Sequence, residues 1–267
     1  MVSIEPAQNG RLEGDTSRAV DRALTILDVL SRSDLPLGTR ELSRSLGFPL
    51  TATHRLLATL QHHDFVRQDP SSDKYTLGPK ILEMSTRFLE SFDVRRLALP
   101  IMRDIREKCD ETVSLFIPDG DSRVCVETLE SRQSVRRVMP VGIRLPLHVG
   151  ATGKLFLAYL PTDQRDGMLQ LSLERFAEHP ITDASRLRHE LETIRQQGWA
   201  SSAGERRDST GAVSAPVWGS APQRIVAGLT ISTPISRFTR ERQDVLVALV
   251  REGAKAISEM RGGSGGI

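Results

Sequence analysis

Apolar positions recur at helical spacing through the first hundred residues, in short runs separated by turn residues. From Ser17 to Leu30, the residues Val20, Ala23, Leu24, Leu27 and Leu30 fall on one stripe and predict an amphipathic helix. Residues 39–60 predict two more short helices, broken at Gly47. Leu42 and Leu46 are four apart and share a face of the first. Gly47 stands where that helix must stop and the chain turn sharply, a place that favours positive φ. Pro49 suits the first turn of the next helix, where its missing N–H would have no partner anyway. In that helix Thr53, Leu56, Leu57 and Leu60 recur at i, i+3, i+4 and i+7 and make the buried stripe. Thr51, Ala52, His54, Arg55 and Ala58 remain on or near the other side.

Two short helices about a tight turn are the arrangement that lays a second helix in the major groove of DNA, and an ordinary helical hairpin in a larger bundle has the same spacing. The following residues favour the first reading. Asp64-Phe-Val-Arg-Gln-Asp, the turn-rich Pro70-Ser-Ser-Asp and Lys74-Tyr-Thr-Leu-Gly predict two short strands around a tight turn. A hairpin directly after a recognition helix is a wing. Three helices and a wing in about 65 residues reach the size at which a small domain folds alone.

Gly78-Pro79 then opens a helix with Ile81, Met84, Phe88 and Leu89 on a stripe, and a second helix from Val94 to Lys108 carries Val94, Leu97, Ile101 and Ile105, with a kink expected at Pro100. From Glu111 strands and helices mix. Thr112 to Ile117, Ser122 to Leu129 (Val124, Val126 and Thr128 alternating) and Ser134 to Met139 read as strands, the first two joined at Asp119-Gly120. Residues 153–160 read as a buried helix, and Leu187, Leu191 and Ile194 stripe another that ends at Gly198. Late strands fall at Trp199 to Ser202, Ala212 to Trp218 and Ile225 to Ser232. A closing helix over 239–260 would turn Val245, Leu249, Ala256 and Met260 inward. The sum is an α+β chain: a winged helix-turn-helix over 17–79 (motif about 39–58), a linker helix over 80–93 and a sensor-like domain of antiparallel sheet flanked by helices over 94–262, with flexible tails at 1–16 and 263–267.

Composition narrows the function. The 267 residues suffice for two domains, and no apolar run reaches the ~18 to 20 residues of a membrane span. With no signal pattern and two cysteines far from metal or disulfide spacing, the expectation is a cytoplasmic protein without cofactor or structural metal. Charge counts against the DNA reading for a single copy: residues 1–75 hold 9 Lys/Arg against 10 Asp/Glu, so a monomer would hold DNA weakly and avidity is expected from a dimer. Arg40, Arg44, Arg55 and Arg67 nevertheless gather on the motif. The expected DNA-contacting set is Thr39 and Arg40, then Thr51, Ala52, His54 and Arg55, with Lys74 on the wing.

Val149-Gly-Ala-Thr-Gly-Lys leads into a helix through small residues, leaving backbone N–H groups at a positive helix end, a place for a carboxylate. A glycine-assisted turn packing helix on sheet reads the same way. A phosphate-binding P-loop fails, since His148 and Leu155 stand where Gly and Ser or Thr are needed. Arg123, Arg136, Arg137 and Arg144 could attract anions, though such runs commonly form a solvated face. His62-His63 is not metal spacing, and His148 lacks a nucleophile pattern beside it.

Over nearly its full length the chain resembles the IclR family of bacterial transcriptional regulators. The resemblance rests on Gly47-Phe-Pro-Leu-Thr-Ala-Thr-His-Arg-Leu-Leu, Tyr75-Thr-Leu-Gly, Leu145-Pro-Leu-His with Gly153-Lys154, Gly198-Trp-Ala followed by Glu205, Ala215-Pro-Val, and Ala227-Gly-Leu-Thr-Ile-Ser. It implies a C-terminal effector domain with a GAF-like α/β fold and dimers, or dimers of dimers, on palindromic operator DNA. It also implies a small organic-acid effector and, in the expected sign, repression. By the same resemblance Gly150, Ala151 and Thr152 match the carboxylate-binding loop, and Thr230 and Ser232, two apart on one strand face, match polar groups of the pocket. Where the family often carries Arg and Cys, this chain has Gly211 and Ala212, so the pocket differs chemically. The competing class is a small-molecule enzyme with an appended helical interaction domain, but residues 110–262 show no convincing catalytic constellation.

Overall fold

The computed structural model describes residues 17–90, 92–170, 184–220 and 224–262. The expected tails at 1–16 and 263–267 lie outside them. The chain divides into two compact units, Met1–Ser91 and Phe92–Ile267.

The first unit holds α1 (Arg18–Arg32), α2 (Thr39–Leu46), α3 (Leu50–His62), β1 (Val66–Gln68), β2 (Tyr75–Leu77) and α4 (Pro79–Glu90). Its core joins Ile26, Val29 and Leu30 of α1 to Leu42, Leu57, Leu60, Val66 and Tyr75. Gly47 closes α2 in the left-handed region at φ 64°, as its place in the sequence requires. The turn is pinned on both sides. The Ser43 hydroxyl donates to the Phe48 carbonyl at 2.7 Å, and the Arg22 guanidinium lies 5.0 Å above the Phe48 ring. β1 and β2 pair antiparallel, Arg67 opposite Thr76, to form the wing. Gly78 ends the wing because the backbone of Asp64 and Phe65 passes too close for any side chain, with a Cβ there 2.9 Å from the Asp64 carbonyl carbon.

Two stripes come out differently. Val20 and Leu24 are 57% and 60% exposed, so the core side of α1 is the Ile26–Val29–Leu30 face, flanked by Ala23 and Leu27. On α4, Met84 and Phe88 are exposed, as is Leu82, and only Ile81 and Leu89 are half-buried. Periodicity located apolar faces correctly as apolar but could not say whether this chain or a second one covers them.

The second unit is an antiparallel six-stranded sheet in the order β5-β4-β3-β8-β7-β6. Its strands are β3 (Thr112–Asp119), β4 (Ser122–Leu129), β5 (Arg144–Pro146), β6 (Ala200–Ala203), β7 (Thr210–Trp218) and β8 (Ile225–Pro234), and its helices are α5 (Asp93–Cys109), α6 (Ala151–Tyr159), α7 (Thr162–Gln170), α8 (Ala184–Gln197) and α9 (Arg240–Met260). Alternation along β8 sorts the layers. Leu229 meets α5 and α9, where Gly253 lets Ile105 and Leu229 approach, whereas Gly228 and Thr230 meet Thr152 of α6. α6 is buried along nearly its whole length, with α8 supplying Leu187, Leu191 and Ile194 to the same core.

α5 runs unbroken through Pro100. Two expectations fail here. Residues 134–139 form no strand, and the third neighbour of the β3–β4 hairpin is β5 instead. On α9 the inward residues are Leu246, Val250, Ala254 and Ile257, while Val245 and Met260 are exposed. That helix bears two apolar stripes about one residue out of phase, and periodicity alone does not choose between them.

Candidate functional site

In the first unit α3 turns Thr53, Leu57 and Leu60 inward, which leaves Thr51, His54, Arg55 and Ala58 exposed and Ala52 half-buried. Thr53 stays buried because its hydroxyl donates to the Pro49 carbonyl at 3.1 Å. The outward side is therefore short and polar, with one guanidinium able to make two parallel hydrogen bonds to a base or phosphate. Thr39 begins α2 half-buried, and Arg40 beside it is exposed. Lys74, after the wing turn, lies 3.7 Å from the Glu41 carboxylate. Glu41 also accepts the Gly38 N–H at 2.7 Å, and this bond, with Lys74 next, holds its carboxyl below the usual range.

The second unit contains a partly open pocket of about 420 Å³, counting the space at its mouth. The sheet register builds its floor. Ser202, Ala212 and Ser232 stand side by side across β6, β7 and β8, and Ser214 is paired with Thr230 two residues along. The Thr230 hydroxyl bridges Thr152 of α6 at 2.6 Å and Ser214 at 3.0 Å. Gly150, Ala151, Thr152, Ala212, Thr230 and Ser232 all line this one cavity.

Two of the loop amides are taken within the chain, contrary to expectation. The Gly150 N–H donates to Glu205 at 3.0 Å and the Ala151 N–H to the Ser202 hydroxyl at 3.1 Å. A carboxylate from the chain itself occupies the start of α6, where the helix end attracts negative charge. Glu205 is held in turn by Lys154, fully buried and also paired with Glu190.

Arg123 is the residue that sequence reasoning set aside. On β4, Val124, Val126 and Thr128 looked like the inward side, yet Arg123 and Cys125 point to a face buried more deeply, and Arg123 is only 3% exposed. Its position two before the buried Cys125 was the available signal. The guanidinium donates to the Pro146 carbonyl and lies 5.6 Å from the Phe116 ring, while its Nε has no acceptor among the described residues. Burial pulls its pKa down to about 9.

Arg137 reaches the same cavity from the 131–143 segment, which Thr112 pins by donating to the Arg137 carbonyl at 2.5 Å. Arg206 and Arg207 complete the rim. The other two arginines of the run are spent elsewhere, Arg136 on Glu130 and Arg144 on Asp119. Gly211 has its own reason: a Cβ there would run into the Phe238 ring, so no side chain fits. His148 is half-buried and outside the pocket lining, and His62 and His63 pack edge to face. Among the described residues no group of His, Cys, Asp or Glu is placed to hold a metal ion, and no helix is long and apolar enough to cross a membrane.

A winged helix-turn-helix followed by an α/β domain with a partly open, arginine-lined cavity defines a class of DNA-binding transcriptional regulator. The chain belongs to the IclR family: residues 19–70 match the IclR helix-turn-helix domain, and residues 86–259 match the C-terminal domain of bacterial transcriptional regulator IclR. It is 32% identical over 247 residues to the transcriptional repressor AllR of Salmonella paratyphi A, covering 92% of this chain and 90% of AllR. An IclR transcriptional regulator from Alicyclobacillus acidocaldarius superposes with a TM-score of 0.81 at 27% identity, over 93% of this chain and all of the other. An IclR homologue from Microbacterium hydrocarbonoxydans, solved with 4-hydroxybenzoate, shares the fold with a TM-score of 0.79 at 20% identity, over 90% and 98% of the chains. These families and relatives are regulators rather than enzymes, which removes the enzyme alternative.

Proposed function

We propose that the protein is a cytoplasmic repressor that binds a palindromic operator as a homodimer, or a dimer of dimers, and that a small organic acid in the second unit controls this binding. The observation that carries the reading is the convergence of Arg123, three hydroxyls and the first turn of α6 on one cavity, in a chain that also carries the winged unit. Thr39, Arg40, Thr51, Ala52, His54, Arg55 and Lys74 form the DNA side. Gly150, Ala151, Thr152, Ala212, Thr230 and Ser232 form the acid side, with Arg123 rather than the Gly150 and Ala151 amides supplying the charge.

Exposed Val20 and Leu24 on α1 and Leu82, Met84 and Phe88 on α4 support pairing of copies, because exposed apolar residues this large gain by being covered. The named repressor among the relatives supports the sign, and the bound aromatic acid of the Microbacterium homologue supports the ligand class. An effector acts only through different affinities for two arrangements of the protein.

The test is fluorescence anisotropy of the full-length protein on the intergenic DNA upstream of its own gene, with and without small carboxylic acids. Nanomolar binding that weakens steeply with salt and shifts with one acid is expected. Salt-independent binding without preference for that DNA defeats the reading.

A further inference from the structure

The pocket holds more positive charge than one carboxylate needs. Four arginines line it, at positions 123, 137, 206 and 207, and none of the described lining residues is acidic. They fall into two groups. Arg123 lies at the buried end, beside Phe116, near the hydroxyls of Thr152, Thr230 and Ser232. Arg137 on the 131–143 segment and Arg206 and Arg207 after β6 come from two different loops. The buried Nε groups of both Arg123 and Arg137 lack an acceptor among the described residues. A buried donor left unpaired costs free energy that an anionic occupant would recover.

The existing carboxylates answer only the inner part of this charge, where Glu205 favours the Arg123 cation. Glu205 and Glu190 are both engaged by Lys154, and Glu205 further accepts the Gly150 N–H. Arg123 with these three groups makes a formally neutral set, which leaves the loop arginines in excess. Arg137 and Arg207 also face one another as like charges. Burial first, and then Arg207, hold the Arg137 guanidinium below its ordinary pKa.

The geometry points to a dianionic effector, a small dicarboxylate, with one carboxylate seated on Arg123 and the hydroxyls and the second bridging Arg137 and Arg207. This rests on the reading of the cavity as an acid-effector site and narrows it from acids in general to acids with two negative ends. Thr230 and Ser232 then read the inner group, and the two loops read the distance to the outer one. A matched monocarboxylate would satisfy Arg123 and leave the Arg137–Arg207 repulsion in place.

The test is isothermal calorimetry on the full-length protein at constant ionic strength with chain-matched pairs: succinate against butyrate, glutarate against valerate, adipate against hexanoate. At least one dicarboxylate is expected to bind roughly tenfold or more tighter than its partner, about 1.4 kcal/mol. In Arg137→Gln/Arg207→Gln that ratio is expected to fall below about threefold. Should the double variant fail to fold by circular dichroism, the exposed Arg207 serves alone, with Arg207→Gln losing the preference and Arg207→Lys keeping part of it. Equal binding of both members of every pair, or a preference that survives Arg207→Gln, overturns the dianion and leaves the acid effector standing. Failure of every acid to bind overturns both.

Discussion

Gly153 and Arg123 are fitted to one another: the guanidinium lies against the first turn of α6 where any side chain at 153 would intrude, a Cβ there coming 2.6 Å from the Leu147 carbonyl oxygen as well. The pocket's buried cation therefore depends on a residue with no side chain on a different element. Gly153→Ala is expected to displace Arg123 and to weaken acid binding roughly tenfold or more, about 1.4 kcal/mol. Calorimetry on a variant with an unaltered circular dichroism spectrum checks this, and undiminished affinity would count against Arg123 as the seat of the charge.

Lys154 anchors the other side of α6. It is fully buried and holds two carboxylates, so Lys154→Met leaves Glu205 and Glu190 uncompensated. Removing one partner of a buried pair costs about 3–5 kcal/mol. For a domain of this size that lowers Tm by roughly 10 °C. The double variant Lys154→Met/Glu205→Gln is expected to recover part of the loss in differential scanning calorimetry. No recovery would mean that packing rather than charge is at stake.

On the DNA side, Arg55→Ala is expected to weaken operator binding by about 1–3 kcal/mol, roughly 5- to 150-fold. If Arg55 contacts a base, the loss is confined to the cognate sequence; if it contacts only phosphate, the loss is uniform and the salt slope shrinks by about one. Anisotropy titrations on cognate and scrambled duplexes at three salt concentrations separate the two. Undiminished affinity would remove Arg55 from the interface.

The depressed pKa of Arg123, about 9 and caused first by burial, sets a pH dependence. The folded protein holds fewer protons at this group than the unfolded chain between pH about 9 and the ordinary arginine range. Stability linked to it therefore rises with pH across that window. Acid binding moves the opposite way, since it needs the cation. Affinity is expected to stay flat from pH 6 to 8 and to fall above about 9, with proton uptake on binding. Calorimetry in buffers of different ionisation enthalpy measures that uptake, and a flat profile through pH 10 would exclude Arg123 titration.

Local chemistry made much of this legible in the sequence. Gly47, Pro49 and the Thr53–Leu57–Leu60 spacing specify the helix-turn-helix because each acts through its own backbone or its own helix face. Alternation put Thr230 and Ser232 on one strand face, and the family resemblance assigned that face to the pocket. What stayed hidden depends on partners distant in the chain. Arg123 looks like surface until β5 and α6 close over it, and the α6 amides look available until Glu205 arrives from 55 residues away. The two stripes on α9 were both apolar, and only the sheet decides between them.

Glu205 is followed directly by Arg206 and Arg207, so a single short peptide both clasps the opening amide of α6 and presents charge at the cavity mouth. The lip of the cavity is thus not mechanically neutral. Arg206 and Arg207 stand one and two residues along the backbone from the carboxylate that fastens a buried helix. Charge at the mouth and restraint of the helix therefore sit on neighbouring residues of one peptide.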